Sequence, residues 1–126
     1  MKLQPDRLEG VNTITRHVPG EVHVGAVRFD RSLVVPWKGE PRLWAPARLD
    51  VLEAAHFDEI LALAPELVIF GSGHRMRFPP AATLAALIGR RIGVESMDTA
   101  AACRTYNVLV SEGRKVVAAL IIEPAG

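Results

Sequence analysis

Leu67-Val68-Ile69-Phe70 is an unbroken apolar run, stopped at once by Gly71-Ser72-Gly73. Alternating polarity would mark a strand with one wet face. A continuous run predicts a strand covered on both faces, so this chain must place apolar layers above and below it. The residues that follow supply them. Pro79-Pro80 opens a helix, because proline fits a first helical turn. Leu84, Leu87 and Ile88 give that helix an apolar stripe, and Gly89 closes it. Ile92 to Met97 is the next strand, so residues 67–97 predict one strand–helix–strand unit with a right-handed crossover. Asp98 caps a further helix with Ala102, Cys103, Tyr106, Leu109 and Val110 facing inward. Gly113 ends it, and Val116 to Ile122 reads as a second fully buried strand.

Upstream of that unit, Phe57, Ile60, Leu61 and Ala64 have the i, i+3, i+4, i+7 spacing of one helix face, ended by Pro65. The first third is β-rich instead. Val11–Val18 and Glu21–Phe29 flank Pro19-Gly20, a pair suited to a tight turn. Val22, Val24 and Ala26 alternate with Glu21, His23 and Gly25, as in a half-buried strand. Leu33-Val34-Val35 is a short third strand ended by Pro36. From Trp37 to Arg48, prolines and two tryptophans make an irregular surface segment, with a short strand around Leu43-Trp44.

A chain of 126 residues is the size of one domain, 1–126, with no linker, repeat or low-complexity stretch to divide it. Its net charge of +1 gives no electrostatic footprint for nucleic acid. No apolar run approaches the ~20 residues of a membrane span, so membrane insertion is not expected. Met1 to Gly10 has neither the apolar core of a secretory signal nor the Arg- and Ser-rich character of a mitochondrial one. The single cysteine fits a reducing compartment. A cytoplasmic, bacterial protein is expected.

Met97-Asp98-Thr99, Thr105-Tyr106-Asn107 and Glu112-Gly113-Arg114 closely resemble the C-terminal signature of a family of small, mostly uncharacterised proteins. That family includes the mitochondrial respiratory complex I assembly factor 3 and a vertebrate protein associated with adipocyte differentiation. The resemblance is densest from Leu67 to Leu120. It implies a three-layer α/β fold, with a central mixed β-sheet flanked by helices and an additional layer from the N-terminal β-hairpin. The pattern read from the residues fits that architecture. The family has no established chemistry, so the resemblance implies an assembly or scaffolding role only by analogy.

Gly71-Ser72-Gly73-His74-Arg75 leaves the C-terminal end of a parallel strand, where open α/β sheets place ligands. Backbone N–H groups at Gly71 and Gly73, helped by Arg75 or Arg77, could cradle an anion. The stretch is neither a dinucleotide fingerprint nor a P-loop, and a plain glycine turn accounts for it. Asp98 places a negative charge at the neighbouring helix start, which opposes phosphate and suggests a latch to Arg75 or Arg77. Cys103 falls on the apolar face, so a buried, unreactive thiol is expected. Arg104 and Asn107 share the more exposed side, facing solvent, a partner or a ligand.

The four histidines, 17, 23, 56 and 74, lack ligand spacing, and one cysteine cannot complete a zinc site, so neither metal nor cofactor is expected. His17 and His23 flank the hairpin turn and would face each other across it. Ser72 and His74 form no nucleophile elbow, and no catalytic set is complete. Trp37 and Trp44 are candidate interface residues, or pack back onto the sheet. The favoured expectation is a non-enzymatic interaction or assembly module with an unidentified protein partner. The alternative is a small-ligand, anion-binding protein or an enzyme using Gly71, Ser72, Gly73, Arg75 and Arg77 with Asp98, Thr99, Arg104 and Asn107.

Overall fold

A computed structural model describes residues 10–125, so the expectations placed on residues 1–9 lie outside it. Its centre is a five-stranded mixed sheet built from β4 (Leu33–Pro36), β5 (Arg42–Leu43), β6 (Leu67–Gly71), β7 (Gly93–Met97) and β8 (Val116–Leu120), in the order β5-β4-β8-β6-β7. β6 runs parallel to both β7 and β8, as the strand–helix–strand pattern predicts. β4 lies antiparallel to β8 and to β5.

Alternate residues of the covered strands feed two separate cores. Leu33, Val35, Ile69, Ala118 and Leu120 point to one face, where α3 (Thr99–Ser111) lies. Val34, Val68, Phe70, Val117 and Ala119 point to the other, under α1 (Ala54–Leu61) and α2 (Ala85–Gly89). This period of two explains why β6 and β8 contain no polar residue: both faces are inside.

The early β layer differs from expectation. Glu21–Phe29 is not one strand. It is β2 (Glu21–Val24) and β3 (Val27–Phe29), paired antiparallel with Val24 opposite Val27. Gly25 makes the turn at φ +57°, a conformation that favours glycine. With β1 (Ile14–Val18) they form a three-stranded sheet, β1-β2-β3, beside α3. The register sets Arg16 opposite His23 and His17 opposite Val22, so the two histidines do not face each other.

Two helix readings also change. α1 stops at Leu61, and Ala64 lies exposed at φ +55° instead of on the buried face. The Pro79-Pro80 segment begins as a 3-10 turn, Ala81–Leu84, before α2. Leu87 is fully buried there while Ile88 is 59% exposed, because so short a helix presents only one residue to the sheet.

Candidate functional site

α3 begins beside the Gly71–Arg77 loop, and three side chains fix that junction. Asp98 caps the helix, its Oδ1 accepting from the Ala101 N–H at 2.9 Å. Thr99 ties three elements together. Its Oγ1 accepts from the Gly73 N–H (2.9 Å) and donates to the Ile121 carbonyl (2.7 Å), while its own N–H donates to the Gly73 carbonyl (2.9 Å). Ser72 is fully buried; its Oγ donates to the Arg75 carbonyl (2.6 Å) and accepts from the Arg77 N–H (3.0 Å).

Glu123 completes the loop. Its carboxylate accepts from the His74 N–H at 2.7 Å and lies 3.5 Å from the Arg77 guanidinium. Sequence reasoning missed this residue. Its signal is topological: parallel pairing sets Gly71 beside Leu120, so the chain leaving β8 must run past the loop leaving β6. The expected latch is therefore corrected. Among the described residues no ion pair joins Asp98 to Arg75 or Arg77, and Glu123 holds Arg77 instead. The arginine and a carboxylate do meet here, but the acid comes from the strand exit and not from the helix cap.

The glycines answer close approach. A Cβ on Gly71 would sit 3.0 Å from Thr99 Cα and from Leu120 Cδ2. On Gly73, at φ +105°, it would run into the Glu123 carboxylate. The loop N–H groups that could have cradled an anion are thus engaged within the chain: Ser72 on the Met97 carbonyl, Gly73 on Thr99, His74 on Glu123 and Arg77 on Ser72. An incoming phosphate would find few donors and a carboxylate already in place.

The remaining candidates are dispersed. Arg104 is exposed on α3, whereas Asn107 turns inward and grips β1. Its Oδ1 accepts from the Ile14 N–H (2.9 Å) and its Nδ2 donates to the Ile14 carbonyl (2.7 Å). The expectation of an exposed Arg104–Asn107 pair is corrected: the amide substitutes for a neighbouring strand. Tyr106 stands beside it, its hydroxyl 2.9 Å from the Asn12 carbonyl and 3.1 Å from that of Pro36. Burial raises the pKa of both Tyr106 and Cys103, the latter to about 12. Cys103 is fully buried, leaving its thiol protonated at neutral pH.

Trp44 is not an interface residue. It is 3% exposed, edge-on to Phe57 and Phe70, and its Nε1 donates to the His56 carbonyl at 3.1 Å. Trp37 is half-buried against both cores. His56 is accounted for by its Nδ1, which accepts from the Glu53 N–H at the start of α1. No cluster of three or more potential metal ligands occurs among the described residues. What stays open at the junction is a cavity of about 330 Å³ between the β1–β2 turn and the start of α3, lined by Pro19, Val22, Gly73, His74, Asp98 and Ile122, among others.

The model of a family described as "Protein of unknown function (DUF498/DUF598)" matches residues 14–121. The crystal structure of a Bordetella parapertussis protein superposes with a TM-score of 0.86 at 34% identity, covering 93% of this chain and 100% of that one. A Francisella tularensis protein named "13 kDa major membrane protein" is 26% identical over 124 residues, 96% of this chain and 99% of its own. The human "NADH dehydrogenase (ubiquinone) 1 alpha subcomplex assembly factor 3" is 44% identical over 61 residues, which is 48% of this chain and 33% of the human protein.

Proposed function

This chain belongs to the DUF498/DUF598 family of proteins of unknown function, and from that premise we propose that it acts as a non-enzymatic protein-interaction module of the assembly-factor kind. The observation that carries this reading is the segment between β6 and the Ala81–Leu84 turn. Phe78 is 70% exposed there and Met76 is 47% exposed, on either side of Arg77. Leaving a phenylalanine ring in water forgoes up to about 2 kcal/mol of burial, which a docking partner can recover. Phenylalanine, methionine and arginine are also the side chains enriched where proteins meet. The tether from Glu123 holds Arg77 in the middle of that segment.

The partner class follows by analogy with relatives. One is named for assembly of NADH dehydrogenase and another for membranes. A subunit of a membrane-associated respiratory complex, met from the cytoplasmic side, is the partner we assign. No described helix is long and apolar enough to cross a membrane, so association would run through that partner. With a net charge of +1, nucleic acid is not the partner proposed.

Tagged wild type, Phe78→Ser and Val27→Ser, each purified from the native host, test this reading. Val27 is also exposed but sits on the three-stranded sheet. Phe78→Ser should lose a respiratory-complex subunit by more than about tenfold, the effect of removing a hot-spot residue. Val27→Ser should retain it. Equal recovery from all three would remove the Met76–Phe78 segment from the interface.

A further inference from the structure

The cavity beside the hairpin turn has an apolar wall and an acceptor-rich rim. Val18, Pro19, Val22 and Ile122 supply the wall. His17, His74, Asp98 and Glu123 stand around it, and among the described residues no lysine or arginine lines it. The loop N–H groups nearest the rim, those of Gly73 and His74, are engaged by Thr99 and Glu123.

Acceptor capacity remains. Asp98 uses Oδ1 for its cap, and Oδ2 has no hydrogen-bond partner among the described residues. His74 Nε2 lies 2.8 Å from the Pro124 carbonyl. A carbonyl only accepts, so His74 Nε2 is the donor in that contact. Glu123 adds negative charge at the rim, although its Oε1 accepts from the His74 N–H and its Oε2 faces Arg77 at 3.5 Å. The positive end of the α3 dipole is already answered by the Asp98 carboxylate.

We propose that this cavity binds a small molecule with a protonated amine and a short apolar body. The ammonium group would sit against Asp98 and Glu123, and the body against Val18, Pro19 and Ile122. A volume of about 330 Å³ is at the small end for ligand pockets, enough for one ring or a short chain. Among the described lining residues an anion would meet two carboxylates and neither lysine nor arginine. The chemistry at this junction is thus opposite in sign to what its glycine loop suggests. This inference stands apart from the Met76–Phe78 interface, which lines none of the cavity.

Titration of the 15N-labelled protein at neutral pH with benzylamine, benzyl alcohol and benzoate tests it by amide chemical shifts. Benzylamine should move Gly20, Gly73, Thr99 and Ala100 together and saturably. Benzyl alcohol should bind at least about tenfold more weakly, since it lacks the charge-assisted bond, and benzoate should leave these amides in place. Asp98→Asn keeps a capping side chain while removing the charge, and should weaken benzylamine about tenfold or more. Ala100→Leu keeps a good helix former and fills the cavity mouth, so it should abolish the shifts. Equal binding of benzoate, no response to benzylamine, or an unchanged benzylamine affinity in both variants would overturn the proposal.

Discussion

The two faces of the central sheet are held by different physics. Under α1 and α2 the contact is shape. Trp44, Phe57 and Phe70 meet edge to face, with ring centroids 5.5 to 6.1 Å apart, and the Trp44 indole N–H is the one side-chain polar group that must find a partner among them. On the α3 face polar side chains reach the main chain of distant segments: Asn107 to β1, Tyr106 to the segments around Asn12 and Pro36, and Thr99 to the exit of β8. The difference follows from what each face must hold. α1 brings its own apolar stripe. The three-stranded sheet beside α3 brings only small apolar side chains fully inside, Ile14 from β1 with Val22 and Val24 from β2, and β3 buries nothing fully. Where apolar area is scarce, directed bonds fix the position instead.

The largest expected effect is on the aromatic face. Phe70→Ala leaves a cavity between Trp44 and Phe57 and should cost about 3–5 kcal/mol in denaturant unfolding. A loss below about 1 kcal/mol would mean that this face repacks freely and is not held by shape. Next comes Asn107→Ala, which orphans both the N–H and the carbonyl of Ile14. It should cost about 1–3 kcal/mol and accelerate hydrogen exchange at Ile14. Unchanged protection there would show that the small sheet is seated by apolar contact after all.

Asp98→Ala removes one capping bond and should lower stability by about 1 kcal/mol. Because the cap lies at the edge of the α3 face, the loss should add to that of Phe70→Ala; strong non-additivity would couple the two faces. Cys103 reports on the α3 face without mutation. Its thiol, pushed to about 12 by desolvation, should label far more slowly in the native protein than in denaturant. Labelling at the denatured rate would show that α3 lifts from the sheet. The smallest effect belongs to Glu66, which joins the starts of β6 and β8. The Lys115 N–H holds its carboxyl below the ordinary range, with help from Arg114. A depressed carboxyl stabilises above its unfolded value and loses that contribution as pH falls through its folded one. Glu66→Gln should flatten this acid limb of a stability profile, and an unaltered limb would discharge Glu66 from it.

The sheet core was readable because β6 and β8 are apolar throughout and their interruptions are glycine, proline and Asp98, each with a local mechanism. The split at Gly25 was not. The alternation of Val22, Val24 and Ala26 runs on into the turn itself, and only the glycine hints at it. Trp44 sits in a proline-rich stretch that looks like surface, and only the fold shows the aromatic slot it fills. The site was harder still. Asp98, Thr99 and the Gly71–Arg77 loop could be placed together from pattern, but Glu123 and Ile14 are partners fixed by topology, 49 and 93 residues away from the groups they bind. Local sequence carries no trace of such pairings.

β8 is the last strand of the described chain, yet it sits in the middle of the sheet, between β4 and β6. During synthesis, β4 and β6 must therefore wait with the edges they will offer β8 unpaired. Until Val116–Leu120 emerges, the nascent polypeptide exposes strand edges of the sort that recruit other chains. Assembly is consequently a closing step by insertion, not outward growth from a finished half. A chain cut short before Val116 would lack the central strand and should behave as an aggregation-prone fragment, not as a slightly smaller protein.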